Sequence, residues 1–412
     1  MGYREKKEEK TKSREGGREI KKEERGERSA LVLSGGGSRG AYQIGVWQAL
    51  LEMGIPIDLV AGTSTGAING AVIAQDGGRG ELLEDACSVW RELETDKVFD
   101  FSDVLKNGGG CYTDFKKLLE ELLDEEKIRR SEIQLGIVTV EFPSMEPRYL
   151  WIEDIPEGRL IDYVLASASC FPAIQSYEIG DSRFIDGGYS DNMPVGMALD
   201  RGASHVIAVN LDAVGVTKKE KLEDAKQSLM IQSHWDLGNW LRFDRANSRR
   251  ILRLGYLDAM KACGAYDGEL YCFIKGQMDK RHLRGAEQAA AIFELDPGLI
   301  YGAEVFHRAL AEALAAYADS EKKEIEAVEK GLDNGPLGAV LGKSSLAKNA
   351  LNGFLTNLAK LPPVNSKTLL ILLARHLKGA DVKRSLLMSR PALALFSKEI
   401  GGAYYLVRSG LV

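Results

Sequence analysis

The stretch LVAGTSTGAI, residues Leu59–Ile68, decides the fold. Its apolar start predicts a short buried strand, and the small residues after Gly66 predict a helix. A serine between two glycines, at a sharp turn from strand to helix, is the arrangement of a nucleophile elbow. Such a turn presents the Ser64 hydroxyl at a helix N-terminus, where free N–H groups favour developing negative charge. Gly62-Thr63-Ser64 is also ordinary loop sequence, so the pattern alone leaves a catalytic and a structural interpretation open.

A second glycine-rich loop, residues 34–40, lies between another apolar run and another helical pattern. The run Ala30–Leu33 predicts a buried parallel strand, and apolar residues at helical spacing over Ala41–Met53 predict a helix. Strand, glycine loop and helix therefore occur twice in succession, which is typical of an α/β fold with a parallel sheet. Two later apolar runs, at 133–142 and 205–211, predict further strands of that sheet.

This glycine loop permits two interpretations; it comprises Gly35, Gly36, Gly37, Ser38, Arg39 and Gly40. It satisfies the pattern G-x-G-x-x-G of dinucleotide-binding sites, with Asp58 about 20 residues beyond it. Its excess of glycine and the elbow after the next strand argue against a dinucleotide-binding site. A phosphate-binding P-loop is disfavoured further, because the loop lacks the ending Gly-Lys-Ser/Thr. The other interpretation is an oxyanion hole, because successive glycines let backbone N–H groups point into one concavity. We expect the N–H groups near Gly36 and Gly37 to bind an oxyanion, with Arg39 adding positive charge.

A catalytic serine also needs a base, and the sequence offers two candidates. His205 follows Asp186 in the chain order of a hydrolase triad. However, it opens an apolar run beside Ser204, so a buried structural histidine is the simpler interpretation. Asp186 is the better candidate, because it follows an apolar pair and precedes Gly187 and Gly188, which allow another element to approach closely. An Asp-Gly-Gly triplet by itself is more often a turn.

Together these pieces resemble the patatin-like phospholipase family, through four motifs in the family's order. The resemblance is close over residues 30–212 and implies a three-layer α/β/α fold with a mainly parallel central sheet. It also implies a catalytic dyad without histidine, in which Ser64 is the nucleophile, Asp186 is the general base and the first glycine loop is the oxyanion hole. The four motifs are Gly35–Gly40, Gly62–Gly66, Ala166–Pro172, and Asp186-Gly187-Gly188 followed by Asn192-Met193-Pro194.

The resemblance implies a serine lipid acyl hydrolase of the phospholipase A or lysophospholipase type, which cleaves acyl esters through an acyl-serine intermediate. Gly62 and Gly66 would shape the elbow, and Gly187 and Gly188 would support the base. Phospholipids or lysophospholipids are the expected substrates, and no cofactor, metal or nucleic acid is expected. Two alternatives stay open: a carboxylesterase or thioesterase for other acyl compounds, and a lipid-binding regulatory protein with little turnover.

The composition sets the broad class of the protein. The chain has 412 residues, 44% of them hydrophobic, and a net charge of −6, as expected of a globular protein with a sizeable core. Its five cysteines are scattered without a C-x-x-C pair, which argues against a disulfide framework or a zinc site. It has no signal-peptide core and no apolar run of about 18 residues, so we expect a cytoplasmic protein with at most peripheral membrane contact.

We divide the chain into four parts. Residues 1–28 form a charged, disordered tail, 29–212 the catalytic domain, 213–285 a family-type extension packed on that core, and 286–412 a helical C-terminal region. Within the last two parts we predict helix over 220–262, a strand over Gly268–Ile274, and helices at Ala303–Ala318, Glu321–Lys330, Leu346–Leu361 and Lys367–Lys378.

The C-terminal region is basic from residue 343. Residues 343–412 contain eleven Lys or Arg against two acidic residues. The apolar helix predicted over Lys367–Lys378, with cations at its end, could therefore lie on an anionic lipid surface. The alternative, which we favour, is a helix packed on the core with its lysines in solvent.

Overall fold

The structure of the chain is a computed structural model that describes residues 27–102, 109–333, 365–379 and 390–412. Almost all of the predicted tail and the whole predicted helix Leu346–Leu361 lie outside these ranges. The chain separates into two units, Met1–Ala265 and Tyr266–Val412. The boundaries that we predicted at residues 212 and 285 stay predictions.

The first unit is built on an eight-stranded sheet. Its strands are β1 (Arg28–Leu33), β2 (Leu59–Thr63), β3 (Gln134–Phe142), β4 (Glu146–Trp151), β5 (Tyr177–Ile179), β6 (Ser182–Asp186), β7 (Ala203–Asn210) and β8 (Gln227–Gln232). Hydrogen-bonded neighbours follow the order β5-β6-β3-β2-β1-β7-β8. Strands β2 and β6 pair with successive parts of one edge of β3, and β4 pairs with its other edge. From β3 through β2, β1 and β7 to β8 all neighbours are parallel, whereas β4, β5 and β6 run antiparallel to their neighbours. The predicted α/β class with a mainly parallel sheet is thus confirmed.

Helices lie on both faces of this sheet, because alternate strand residues point to opposite sides. The helices are α1 (Ala41–Glu52), α2 (Thr65–Asp76), α3 (Leu83–Glu92), α4 (Thr95–Val98), α5 (Thr113–Leu122), α6 (Glu125–Arg129), α7 (Leu160–Ser167), α8 (Val195–Asp200) and α9 (Arg245–Ala262). On one face, Ala61 of β2 shares a core cluster with Met197 of α8. On the other face, Val60 and Leu135 pack around Gly70 of α2. The layers are therefore helix, sheet and helix.

Two strands end against each other along one edge of β3. Strand β2 runs parallel to β3, and its last residue, Thr63, pairs with Val138. Strand β6 runs antiparallel to β3, and its last residue, Asp186, pairs with Thr139. Because β4 occupies the other edge of β3, β2 and β6 share one edge and their C-terminal ends meet. The residue after Thr63, which is Ser64, therefore comes to lie beside Asp186.

One prediction about this sheet is wrong. We predicted helix over 220–262, but Gln227–Gln232 forms β8 at the edge of the sheet, and α9 begins only at Arg245. Within β8 only Ile231 is buried, and Met230 is 42% exposed. The strand therefore lacks the continuous apolar run of a central parallel strand. Pairing with β7, rather than a local pattern, makes this segment a strand.

The second unit combines a small sheet with helices. The sheet consists of β9 (Tyr266–Asp267), β10 (Cys272–Ile274) and β11 (Ile300–Tyr301). The helices are α10 (Lys280–Ile292), α11 (Ala303–Ser320), α12 (Lys322–Asp333), α13 (Ser366–Gly379) and α14 (Arg390–Arg408). The predicted helical character of the C-terminal region is confirmed for the ranges that the structure describes.

Helix α13 is the apolar, cation-ended helix that we considered for a lipid surface. Leu370, Ile371, Ala374 and Leu377 are all buried, so the helix packs its apolar side chains within the second unit, as in the alternative that we favoured. The basic residues of 343–364 and 380–389 lie outside the described ranges. None of the helices that the structure describes has the length and hydropathy needed to cross a membrane.

Helices α1 and α9 cross at very close range, with a glycine from each at the contact. A methyl group added at Gly45 of α1 would overlap the carbonyl oxygen of Leu252, and one added at Gly255 of α9 would overlap that of Tyr42. Beside the crossing, the Tyr42 hydroxyl donates a 2.8 Å hydrogen bond to Asp258. Since α1 begins directly after the glycine loop, this crossing fixes the helix that carries the loop.

Gly45→Ala should destabilise the protein, although alanine usually stabilises a helix interior by about 1 kcal/mol over glycine. The methyl group would force α1 away from α9 and lower the free energy of unfolding by about 1–3 kcal/mol. Gly196→Ala in α8 is the control, because no atom beyond its chain neighbours and its own helix backbone lies within 4 Å of the added methyl group. Denaturant unfolding of both variants measures the effect, and a Gly45→Ala protein as stable as the wild type would contradict the close crossing.

Candidate active site

Ser64 lies at the turn between β2 and α2, in a backbone conformation that few non-glycine residues adopt. Its φ is 58° and its ψ is −126°, so the turn is strained. The turn forms because both flanking positions lack side chains. A methyl group at Gly62 would overlap the carbonyl of Gly66, and one at Gly66 would overlap that of Leu33. The segment thus has the strand–turn–helix geometry of a nucleophile elbow.

The Asp186 carboxylate lies beside the Ser64 hydroxyl, and its interaction with that hydroxyl lowers the pKa of the carboxyl. The Gly188 N–H donates a hydrogen bond, 2.7 Å long, to Asp186 Oδ1. The main chain of Asp186 is held as well, because its N–H donates to the Ser169 carbonyl at 2.9 Å. At Gly187 an added methyl group would overlap the backbone of β3. Both glycines after Asp186 therefore serve to hold the carboxylate in place.

Burial controls the protonation of Asp186. The residue is 7% exposed. Burial raises the pKa of its carboxyl to about 6, although the hydrogen bonds from Ser64 and from the Gly188 N–H lower it. The side chain is therefore ionised at neutral pH and takes up a proton near pH 6. A carboxylate with this pKa is a stronger base than a carboxylate in water.

The glycine loop faces Ser64 from the end of β1. Gly36 and Gly37 line the same cavity as Ser64 and Asp186. Within the part of the chain that the structure describes, no acceptor takes the N–H of Gly36 or Gly37. Gly35 is so near that an added methyl group would lie 3.0 Å from Ser64 Cβ. The φ of Gly37 is 55°, a left-handed conformation that favours glycine.

The other loop residues hold the loop in place. The Ser38 hydroxyl donates to the Asn239 carbonyl at 2.9 Å, and Gly40 packs against the ring of Trp90. Arg39 is not among the residues that line the cavity. Its side chain contacts neighbouring loops, and our expectation that its charge favours an oxyanion stays a prediction. The Arg39 guanidinium donates to the carbonyls of Leu211, Asp212 and Gly238 over distances between 2.7 and 3.1 Å.

Ser167, at the end of α7, has a role that its sequence did not indicate. Its hydroxyl donates to the Val138 carbonyl at 2.6 Å and accepts the Ser64 N–H at 2.9 Å. The strained turn takes the Ser64 N–H out of the hydrogen-bond ladder of the sheet, and the fully buried Ser167 supplies the missing acceptor. In the sequence, Ser167 was noticed only as part of the motif Ala166–Pro172. That motif does not indicate that its hydroxyl bonds to the Ser64 N–H.

Ser64 and Asp186 open into a cavity of about 460 Å³. This volume lies in the range of small-molecule sites, about 300–1,000 Å³. Ser64 and Asp186 are among its polar residues, so the cavity suits a ligand with a long apolar part and a reactive polar group. The rest of its wall is mainly apolar and includes Ile68, Trp90, Val98, Phe99, Tyr112, Phe115, Ile174, Val214, Val216, Trp240, Leu241 and Phe243.

His205 and Asp58 lie at the other end of the strands. His205 pairs with Ser29 of β1, which precedes Gly35 by about 20 Å of extended chain. Its imidazole is buried and lies 3.3 Å from Glu27, as expected of a structural histidine. Asp58 accepts the Ser29 N–H at 2.8 Å, so it is not beside the glycine loop as a dinucleotide site requires. Among the described side chains, no cluster of three or more His, Cys, Asp or Glu is placed to hold a metal ion.

Fold and site together define an α/β protein in which an elbow serine lies beside a buried aspartate. Comparison with known families agrees with the resemblance seen in the motifs: residues 31–199 match the model of the patatin-like phospholipase family. The chain therefore contains a patatin-like phospholipase domain.

Two curated relatives are similar to this domain over part of their length. Patatin-like phospholipase domain-containing protein 7 of Rattus norvegicus is 30% identical over 201 residues, which are 48% of this chain and 14% of the rat protein. Lysophospholipase NTE1 of Debaryomyces hansenii is 30% identical over 244 residues, 56% of this chain and 15% of that protein. The chain thus spans about a seventh of the length of these relatives. The crystal structure of VipD from Legionella pneumophila superposes with a TM-score of 0.35 at 14% identity, covering 94% of this chain and 92% of that one.

Ser167→Ala should weaken the elbow, because it leaves the buried Ser64 N–H without an acceptor. The expected loss in the free energy of unfolding is about 1–3 kcal/mol, and amide hydrogen exchange at Ser64 should become faster. Ser169→Ala is the matched control: its hydroxyl is also buried but donates only to the Leu165 carbonyl at 2.8 Å. If both variants change exchange at Ser64 equally, Ser167 does not hold the turn.

Proposed function

We propose that the chain is a serine hydrolase of lipid acyl esters, with Ser64 as nucleophile and Asp186 as general base. One observation carries the proposal: an elbow serine and a buried carboxylate lie side by side at the wall of a mainly apolar cavity. The family domain over residues 31–199 supports the same class of reaction, as does the name lysophospholipase of one relative.

In the proposed acylation step, Asp186 accepts the Ser64 hydroxyl proton while Ser64 Oγ attacks the ester carbonyl. The tetrahedral intermediate expels the alcohol, which takes the proton from Asp186, and the acyl group stays on Ser64. In the second step, water attacks the acyl-serine and gives its proton to Asp186. Collapse of this intermediate returns the proton to Ser64 and releases the carboxylic acid.

The oxyanion of both steps would be bound by the N–H groups of Gly36 and Gly37. Both glycines line the cavity that contains Ser64, and no acceptor in the described ranges takes their N–H groups. The positive end of α2, which begins at Thr65, adds to the field at the same place. A donor of this kind typically lowers the barrier by about 3 kcal/mol.

The apolar wall supports a hydrocarbon acyl chain as the group that the cavity binds, so we propose phospholipids or lysophospholipids as substrates. A carboxylesterase or thioesterase would differ only in the leaving group. A lipid-binding protein would share the cavity but not need a base beside Ser64, and the buried carboxylate of Asp186 at that position favours an enzyme.

Ser64→Ala and Asp186→Asn should each lower kcat/KM for ester hydrolysis by at least about a thousandfold, because each removes one half of the proposed dyad. His205→Ala should keep most of the activity, since that imidazole lies at the other end of the strands. Hydrolysis of a panel of phospholipids, lysophospholipids, thioesters and simple esters, with products identified by mass spectrometry, measures the effect and the preferred leaving group. A folded His205→Ala protein without activity would overturn the dyad.

Labelling with a fluorophosphonate separates the enzyme from a binding protein. We expect a covalent adduct on Ser64 of the wild type and none on Ser64→Ala. A wild-type protein that binds lysophospholipid but forms no adduct would favour the lipid-binding alternative.

The rate of ester hydrolysis should rise with pH and reach half of its plateau near pH 6. Only the ionised Asp186 can accept a proton from Ser64, and burial raises the pKa of this carboxyl to about 6. Single-turnover acylation over pH 4.5 to about 8.5 isolates the step. A rate that is constant from pH 5 to about 8 would exclude Asp186 as the base.

A further inference from the structure

A second cavity lies directly behind one wall of the catalytic cavity. Its volume is about 240 Å³. Helices α2, α3 and α5 contribute most of its wall, which is predominantly apolar. Three residues, Ile68, Trp90 and Phe115, line both cavities. The two spaces therefore adjoin at these three apolar side chains.

The shared wall begins beside the nucleophile. Ile68 follows Ser64 by four residues, one turn along α2, so the two positions lie on the same side of the helix. Trp90 is fixed in place, because its indole N–H donates to Asn69 at 2.9 Å and its ring stacks on Phe243 with centroids 6.1 Å apart. An acyl chain that leaves Ser64 along this apolar wall is directed toward the second cavity.

We propose that the second cavity receives the methyl end of a long acyl chain whose ester lies at Ser64, an inference that rests on the proposed function. The volume of the second cavity favours this role over that of an independent site for a whole ligand. Sites for whole small molecules have about 300–1,000 Å³, and the second cavity is smaller. It therefore fits the end of a ligand held elsewhere, and it makes the protein selective for long chains.

The polar groups around the second cavity set the direction of entry. Gln75 is already satisfied, because its amide donates to the Leu122 carbonyl at 3.0 Å and accepts the Asp124 N–H at 2.7 Å. The carboxylates in the wall belong to the exposed residues Asp85 and Glu121. A free fatty acid that entered carboxylate first from this side would meet like charges. The chain therefore enters from the Ser64 side with its methyl end leading.

Val89→Phe tests this by filling the second cavity from α3. Val89 lines the second cavity but not the first. Each methylene group that loses its apolar contacts reduces binding about fourfold, so we expect kcat/KM for palmitoyl esters to fall about tenfold or more. Butyryl esters should change less than about twofold. Ser88→Phe is the matched control, because it adds the same ring at the exposed neighbouring position and should leave both esters unchanged.

An equal loss for palmitoyl and butyryl esters, or an unchanged chain-length profile, would overturn the inference. If Val89→Phe does not unfold cooperatively, Ala86→Leu fills the cavity one turn earlier on the same helix.

Isothermal titration calorimetry distinguishes the proposed function from the proposed role of the second cavity. It measures the binding of palmitoyl lysophosphatidylcholine to Ser64→Ala protein with and without Val89→Phe. Weaker binding after Val89→Phe supports the cavity even if the wild type hydrolyses no ester, in which case only the proposed function fails. Unchanged binding overturns the cavity, whatever the activity.

Discussion

The site depends on the meeting of two strand ends at one edge of β3. The parallel strand β2 leads to Ser64, and the antiparallel strand β6 ends with Asp186. The last residues of both strands pair with consecutive positions of β3, Val138 and Thr139. A shift of one residue in either register would turn buried side chains outward. The distance between the hydroxyl and the carboxylate is therefore fixed by the sheet.

The burial of Asp186 has opposite effects on chemistry and on stability. Because the folded protein binds its proton more tightly than an unfolded chain, whose carboxyl has a pKa near 3.9, the stability linked to this proton is present at low pH. It is lost as the pH rises through about 6. At neutral pH the fold therefore carries a destabilising charge, which makes the carboxylate more basic. The hydrogen bonds from Ser64 and Gly188 offset part of this penalty.

The elements that could be predicted from the sequence are those with a local signal. The glycines around Ser64 and the apolar runs of β1 and β2 are set by turn geometry and by burial on both faces of a sheet. Strand β8 could not be predicted, because its half-exposed residues become a strand only by pairing with β7. The role of Ser167 depends on a hydrogen bond to Ser64, which is 103 residues away. The orientation of Arg39 depends on carbonyls more than 170 residues away. No local pattern encodes such contacts.

Direct contact between Ser64 and Asp186 gives the proposed mechanism its particular form. In a triad the imidazole stands between serine and carboxylate, whereas here the carboxylate lies beside the serine and no histidine is among the residues that line their cavity. Even at a pKa of about 6 the base is weak for a serine, so the remaining barrier has to be lowered by the oxyanion donors and by binding energy. In the proposed mechanism, binding of a long acyl chain away from the reacting atoms would supply such energy and hold the ester at Ser64. The proposed chain-length selectivity and the proposed base without histidine would then be connected features of one site.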